Sequence, residues 1–165
     1  MDAIECIKTR RSLRTYQDKA IPKGLLEDLV DCGRLAPSAR NVQPWHFIVV
    51  TEREKLKRIG GIAATGPFIR DAAACIVICG DKGNKHLVED GCAATENILL
   101  AAHAHGLASC WVAGWKREYN PGLIKLLNIP STEEIVSIIP LGYPEGKPDL
   151  KNKRAIDEVL HWEAF

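Results

Sequence analysis

The chain has 165 residues, which suits a single domain spanning 1–165, and its composition, 46% hydrophobic and 26% charged, is that of a globular protein. Its 22 basic and 21 acidic side chains leave a net charge of +1, so no overall field would attract nucleic acid or an anionic membrane surface. Any anionic ligand must therefore be bound by a local group of basic residues.

The N-terminal residues and the most apolar stretch predict where the protein resides. Neither the apolar run nor the cleavage pattern of a secretory signal follows Met1. The most apolar stretch, 98–115, is interrupted by His103 and His105 and is too polar to span a bilayer. We therefore expect a cytoplasmic protein without a membrane-spanning segment.

The N-terminal third of the chain predicts two helices, a loop and a strand. Asp2 is a candidate N-cap for the first helix, and Pro22 can open the second. Two prolines and an asparagine interrupt any regular pattern before the first strand. The predicted elements are a helix over 2–8, a basic extended segment over 9–17, a helix from Pro22 to about Gly33, a loop over 36–45 and a strand over 46–51.

The remainder of the chain predicts strands alternating with helices. The run 73–79 is apolar at nearly every position, which indicates a strand buried on both faces. The longest predicted helix, 88–105, carries five alanines, which permits close approach of another helix. The other predicted elements are a charged helix over 52–59, a strand over 107–112, a helix over 121–127 and a strand over 134–141, before a polar tail with an apolar end.

The six cysteines and five histidines do not form a metal or redox motif. The cysteines lack any C-x-x-C pair, so we expect reduced thiols that pack as small hydrophobic side chains, with Cys75 and Cys79 on one face of a strand. On a helix, His103 and His105 point away from each other, and the other histidines stand alone. We therefore expect no metal site.

The first candidate binding segment is R-R-S-L-R, from Arg10 to Arg14. Alternate residues of an extended chain face the same side, so Arg10, Ser12 and Arg14 would converge there. Two guanidinium groups and a hydroxyl suit a phosphate monoester, and no G-x-G-x-x-G or P-loop motif offers another phosphate site. By itself the segment also fits a solvated basic loop, and the spacing alone favours that interpretation.

Three further segments offer polar or small residues to a ligand. The loop 37–45, P-S-A-R-N-V-Q-P-W, carries donors and acceptors between rigid prolines and could meet sugar-like hydroxyls. The small residues of 111–115, W-V-A-G-W, would let backbone N–H groups approach a flat ligand. Near the C-terminus, Lys151 and Lys153 share one side of an extended chain. Singly, these segments also fit an ordinary loop, a strand end and a surface charge patch.

Together and in this order, the segments resemble the nitroreductase family of FMN-dependent enzymes, and more narrowly its short bacterial or archaeal type. The resemblance runs from about residue 3 to residue 162, and its first two motifs are the most specific. The motifs that carry it are R-R-S-x-R at 10–14, P-S-A-R-N-x-Q-P-W at 37–45, G-L-A-S-C-W-V-A-G at 106–114, L-G-Y-P at 141–144, K-x-K at 151–153 and E-V-L-H-W-E at 158–163.

The resemblance implies a set of cofactor-binding residues. The arginine-serine motif would hold the FMN phosphate and ribityl chain, and a late basic pair would complete the phosphate site. The loop would reach the flavin from a second subunit. Backbone groups would lie along the flavin ring near its redox-active nitrogen. The residues concerned are Arg10, Arg11, Ser12 and Arg14; Pro37, Ser38, Ala39, Asn41 and Gln43; Val112, Ala113 and Gly114; and Lys151 and Lys153, with Arg154 as the alternative to Lys153. Backbone donors around Ala113 and Gly114 would stabilise charge on the reduced ring. No side chain is expected to act as a catalytic nucleophile, because the flavin carries the chemistry.

The resemblance also implies a fold, an assembly and a reaction. The fold would be α+β, with a central mixed, mostly antiparallel sheet flanked by helices, in a homodimer that exchanges its C-terminal segments. The helix over 88–105 would lie at or near the interface, and the apolar tail residues Trp162 and Phe165 would be covered by the partner. The reaction would pass a hydride from NADH or NADPH through bound FMN to an oxidised acceptor such as a nitroaromatic or quinone. A non-catalytic flavin-binding sensor or carrier, and a thiol-based redox or metal protein, remain the alternatives.

Overall fold

Five α-helices and five β-strands form the part of the chain that the computed structural model describes, residues 1–148 and 152–165. The helices are α1 (Ala3–Thr9), α2 (Lys23–Arg34), α3 (Arg53–Ile62), α4 (Leu87–Ala104) and α5 (Asn120–Leu127). The strands are β1 (Trp45–Val50), β2 (Ala74–Asp81), β3 (Ala108–Ser109), β4 (Val112–Ala113) and β5 (Glu133–Gly142). Short 3₁₀ helices cover Ala39–Asn41, Pro67–Asp71 and Ile156–Glu158.

The strands form one sheet in the order β1-β2-β5-β3, and β4 pairs with β5 next to β3 along the same edge. All four strand pairings are antiparallel. A β-bulge interrupts β5, because Ile78 faces Ser137 and Cys79 faces Ile135, which leaves Val136 as the additional residue. The expected α+β class is confirmed, and the sheet is antiparallel throughout the described residues.

The central strands β2 and β5 are buried on both faces, which explains their nearly continuous apolar sequences. Ile76 and Ile78 pack on one face, with α2 and α4. Cys75, Val77 and Cys79 pack on the other, with α3 and α5. The expected common face of Cys75 and Cys79 is therefore confirmed, and all six cysteines are free thiols.

Most predicted boundaries agree with the structure, and Asp2 caps α1 by accepting hydrogen bonds from the N–H groups of Ile4 at 2.9 Å and Glu5 at 3.0 Å. The helix expected to open at Pro22 begins at Lys23, with Pro22 as the N-cap residue. None of the helices among the described residues is both long enough and apolar enough to cross a membrane.

The prediction of one continuous strand over 107–112 is wrong, because the structure has two two-residue strands there. The register continues from β3 to β4: Ser109 faces Leu141 and Val112 faces Ile138. This register places Cys110 opposite Pro140. Proline has no N–H group to donate, so the ladder is interrupted at this position.

Candidate functional site

The strand β4 lies at the outer edge of the sheet, and backbone alternation decides which of its groups face outward. The N–H of Gly114 donates to the carbonyl of Val136 at 3.1 Å, so Gly114 faces β5. Successive residues of an antiparallel strand alternate in this respect, so Ala113 faces away from β5. Two contacts agree with this alternation. The outward carbonyl of Ser109 accepts a hydrogen bond from the N–H of Leu13, and the outward carbonyl of Ala113 accepts one from the hydroxyl of Tyr119. The N–H of Ala113 is therefore directed outward from the sheet edge.

The backbone around Ala113 is held on several sides. The Tyr119 hydroxyl donates to the carbonyl of Ala113, and the Nδ2 of Asn120 donates to the carbonyl of Gly114 at 2.7 Å and to the Oε1 of Glu134 at 3.3 Å. Gly114 lies so close to β5 that a Cβ there would meet the Cγ2 of Ile135 at 2.6 Å. The turn after β4 is therefore rigid before any ligand arrives. The predicted donor at Gly114 is already used within the sheet, which leaves Ala113 as the available one.

The basic segment 10–14 runs along the same edge of the sheet. Its Leu13 N–H donates to the carbonyl of Ser109 in β3 at 2.9 Å, and Tyr16 forms an isolated antiparallel bridge with Pro144. Leu13 and Tyr16 also pack with Phe68 and Ala108 in a small apolar cluster. Residues 10–15 form neither a helix nor a strand, and the Leu13 hydrogen bond brings the first and third motifs to the same edge.

The three arginines of this segment have different neighbours. The Nε of Arg10 lies 3.4 Å from the Oε1 of Glu96 on α4, with both groups partly exposed. Arg11 donates through Nη1 to the carbonyls of Lys8 at 2.8 Å and of Arg10 at 2.7 Å, at the C-terminal end of α1. The exposed Arg14 places its guanidinium carbon 5.7 Å from the ring centre of Phe68. Arg11 therefore stabilises the end of α1, while Arg10 and Arg14 remain at the surface.

The positive charges of Arg10 and Arg11 affect the pKa of His103 on α4. The Nε2 of His103 lies 2.9 Å from the hydroxyl oxygen of Thr9. The pKa of His103 is lowered, first by partial burial and then by the positive charges of Arg10 and Arg11, against a smaller opposing effect of Glu5. Two basic side chains therefore lie close to His103, where α1 ends beside α4.

The loop 37–43 holds an unusual backbone conformation. Arg40, Asn41 and Gln43 have φ angles of 54°, 57° and 52°, in the left-handed region that non-glycine residues seldom occupy. The hydroxyl of Ser38 accepts a hydrogen bond from the N–H of Gln43 at 3.0 Å. Pro37, Asn41 and Gln43 are exposed, and Ser38 and Ala39 are half-buried. The loop is therefore ordered by contacts that leave its polar side chains at the surface.

One buried carboxylate anchors this loop to α4. Asp90 is 6% exposed, and its Oδ1 accepts a hydrogen bond from the N–H of Ala39 at 3.0 Å. Its Oδ2 is buried without a hydrogen-bond partner among the described residues. Sequence reasoning did not identify Asp90, because an acidic residue in the first turn of a helix is ordinary.

The loop lies between β1 and the start of α4. It leads into β1, which β2 and β5 separate from β4. Its Ala39 is bound to Asp90, and a Cβ on the adjacent Gly91 would meet the Cγ1 of Val136 in β5 at 2.9 Å.

The predicted late basic pair is only partly described. Lys151 lies outside the described residues, and Lys153 is exposed, as is every residue from 152 to 165. This tail includes the large apolar side chains of Ile156, Val159, Leu160, Trp162 and Phe165. An exposed series of this kind is typical of a segment that packs on another surface.

Sequence reasoning missed the residues that support the site from outside its motifs. Tyr119 and Asn120 hold the carbonyls of two neighbouring residues, and Phe68 lies beneath Arg14. A side chain that binds a backbone carbonyl leaves no periodic pattern in the sequence.

Comparison with known proteins identifies the class to which this architecture belongs. The sequence profile of the nitroreductase family matches residues 7–66 and 61–143. The chain therefore belongs to the nitroreductase family, as its motifs predicted.

Individual relatives are similar over most of their length. A protein of Methanothermobacter thermautotrophicus is 40% identical over 157 residues, which cover 92% of this chain and 82% of the relative. A protein of Archaeoglobus fulgidus is 44% identical over 154 residues, 88% of each chain. Both are provisionally named NADH dehydrogenase/NAD(P)H nitroreductase. The structure of an FMN-dependent nitroreductase from Clostridium difficile superposes with a TM-score of 0.91 at 32% identity, covering 98% of this chain and 99% of that one.

Proposed function

We propose that this protein is an FMN-dependent oxidoreductase that passes a hydride from NADH or NADPH to an oxidised small-molecule acceptor such as a nitroaromatic or a quinone. The observation that carries the proposal is the outward N–H of Ala113 on a rigid sheet edge, along which the basic segment 10–14 also runs. Family membership and the names of the relatives from Methanothermobacter and Clostridium support the same chemistry.

The residues at this edge fit the two ends of FMN. Arg10, Ser12 and Arg14, with Lys153 from the tail, would bind the phosphate, because guanidinium and ammonium groups donate charge-assisted hydrogen bonds. The N–H of Ala113 would donate to the ring near its redox-active nitrogen. When bound, FMN supplies hydride acceptance from the nicotinamide and hydride donation to the second substrate, in alternating half-reactions. The chain itself would hold and orient the ring through the N–H of Ala113.

We further propose a homodimer in which the loop 37–43 reaches the flavin of the partner. The loop leads into β1, which β2 and β5 separate from β4, and its polar side chains are exposed and so available to a second subunit. A second copy can bring its loop to the β4 edge, where exposed Asn41 and Gln43 offer hydrogen bonds to the ribityl chain and ring.

The exchanged C-terminal tail of the partner would occupy the groove between α2 and β1. This groove has a volume of about 670 Å³, and its walls are largely apolar, including Leu26, Val30 and Phe47. It lies against β1, an edge strand of the described sheet. The apolar side chains of the tail match a groove of this character, and burial of each would contribute roughly 1.5–3 kcal/mol.

The test is the visible spectrum of the purified protein before and after anaerobic addition of NADH or NADPH. We expect a yellow protein that bleaches with the reductant and regains its colour when a nitroaromatic or quinone is added. A yellow protein that does not bleach with either nucleotide would instead be a flavin-binding sensor or carrier. A colourless protein that takes up no FMN, and loses its activity on cysteine alkylation, would contradict the proposal in favour of thiol chemistry.

A further inference from the structure

Tyr119 holds the outward side of β4. Its ring packs with the apolar cluster between the sheet, α3 and α5. Its hydroxyl donates to the carbonyl of Ala113, which faces away from β5 and so takes no part in the strand ladder. A backbone group at a sheet edge that pairs with a side chain is fixed by that side chain. The position of Ala113 therefore depends on an anchored aromatic residue outside β4.

Thr65 aligns the Tyr119 hydroxyl. The Oγ1 of Thr65 lies 3.1 Å from the Tyr119 oxygen. A tyrosine hydroxyl has one proton, and Tyr119 gives it to Ala113, so Thr65 is the donor in its contact with Tyr119. The hydrogen bonds consequently run in one direction, from Thr65 through Tyr119 to the carbonyl of Ala113.

The turn that carries Thr65 contacts β4 at a second point. A Cβ on Gly66 would meet the Cγ1 of Val112 at 2.9 Å, so the turn lies directly against the residue before Ala113. On the other side, the N–H of Gly114 is held by Val136. Contacts within the chain therefore hold Val112, the carbonyl of Ala113 and Gly114. The N–H of Ala113 is the group left available to a ligand.

We propose that Tyr119, aligned by Thr65, is a positioning residue that directs the Ala113 N–H at the redox-active nitrogen of the flavin and thereby stabilises oxidised FMN relative to reduced FMN. This inference rests on the proposed function. In the oxidised ring this nitrogen would accept a hydrogen bond through its lone pair, whereas in the reduced ring it carries a hydrogen and would be a much weaker acceptor. The role of Tyr119 is therefore to hold the oxidised ring and to set its reduction potential, and a smaller effect is expected on binding of the reduced cofactor.

The experiment compares Tyr119→Phe and Thr65→Val with Tyr143→Phe as the matched control, since that change also removes one tyrosine hydroxyl. For each protein, the dissociation constants of oxidised and dithionite-reduced FMN and the midpoint potential are measured. In Tyr119→Phe we expect the affinity for oxidised FMN to fall about tenfold more than that for reduced FMN, which corresponds to a two-electron potential about 30 mV more positive. Thr65→Val should shift the potential in the same direction by less, and Tyr143→Phe should leave it unchanged.

A second readout concerns the chain without cofactor. Amide hydrogen exchange should be slow at Gly114 and fast at Ala113 in the apo protein. FMN should slow exchange at Ala113, and should do so less in Tyr119→Phe. Protection of the Ala113 amide in the apo protein would overturn the inference, because the donor would then already be bound within the chain.

The outcomes separate this inference from the proposed function. Failure of the wild-type protein to bind FMN would overturn both. A wild-type protein that binds and bleaches, with an unchanged potential in both Tyr119→Phe and Thr65→Val, would overturn the positioning role alone. Thr65 is exposed, so its variant tests the inference even where Tyr119→Phe does not fold.

Discussion

The β4 edge and the C-terminal tail belong to the same candidate site but are held in opposite ways. Around Ala113, one chain supplies every contact: Val136 from β5, Tyr119 and Asn120 from the start of α5. In the tail, Trp162 is 78% exposed and Ile156 is 74% exposed. The β4 edge is therefore fixed within one chain, whereas the tail has no covering contacts among the described residues, as the proposed exchange with a second subunit would require.

The loop 37–43 is intermediate between these two regions. Its backbone is fixed within the chain by Ser38 and Asp90, yet its polar side chains are exposed. The backbone around Ala113 is held entirely within one chain, whereas the loop and the tail leave side chains exposed. This combination fits a cofactor bound between subunits. The following predictions test this division, from the largest expected effect to the smallest.

Removal of the surface arginines should affect the phosphate end of the site. We expect Arg10→Ala combined with Arg14→Ala to lower FMN affinity by roughly 100-fold or more, because two charge-assisted hydrogen bonds of about 1.5–3 kcal/mol each are lost. Fluorescence titration with FMN and riboflavin measures the effect, and riboflavin binding should change little. Arg34→Ala with Arg58→Ala removes the same charge from α2 and α3 and should have no such effect. Full FMN occupancy in the first double variant would rule out this phosphate site.

A side chain at Gly114 should damage the preformed edge. The new Cβ of Gly114→Ala would lie 2.6 Å from the Cγ2 of Ile135 and 2.9 Å from the backbone nitrogen of Ser137. We expect a loss of about 1–3 kcal/mol in the free energy of unfolding of the apo protein, measured by urea denaturation. Gly24→Ala is the matched control, since no atom lies within 4 Å of its Cβ position. Equal stability of the two variants would show that the edge is less tightly packed than described.

Shortening the apolar tail side chains should act on assembly and leave the fold of the subunit intact. Trp162→Ser with Phe165→Ser should raise the dimer dissociation constant about tenfold or more, because buried aromatic residues contribute strongly to interfaces. Analytical ultracentrifugation measures this, with Glu158→Gln as a control in the same tail. An unchanged dimer affinity, or a monomeric wild-type protein, would contradict the exchange of tails.

The pKa of His103 should change when the phosphate group of FMN binds. Its pKa is lowered by partial burial and then by Arg10 and Arg11, so the negative charge of bound FMN near those arginines should raise it. Riboflavin, which lacks the phosphate, should not. NMR titration of the imidazole measures both, and an equal response to the two ligands would place the phosphate elsewhere.

The lowered pKa of His103 also implies that folding stability depends on pH. The unfolded chain binds a proton at this histidine more readily than the folded chain, so folding stability is lost as the pH falls through the ordinary titration range of histidine. His103→Gln should remove that contribution, which is checked by the free energy of unfolding of both proteins at pH 7.5 and at about pH 5.5. A pH dependence identical to that of the wild type would assign the loss to other groups.

Local patterns in the amino-acid sequence determined most of the elements and the family. The cap at Asp2 depends on neighbours within one turn, and the apolar run of β2 and the basic residues of 10–14 are visible within short stretches of sequence. Such features span only a few residues, so they can be recognised from spacing and residue type alone. The family motifs likewise lie in short contiguous segments.

Only the tertiary structure decided which of Val112, Ala113 and Gly114 presents an outward donor. Their small side chains allow either set of alternate residues to face β5. The choice is made by the hydrogen bond between Gly114 and Val136, which lies on a strand more than twenty residues away. The same pairing places Pro140 opposite Cys110 and divides the predicted strand in two. Register between distant strands depends on how the whole sheet packs, so no local pattern in the sequence contains it.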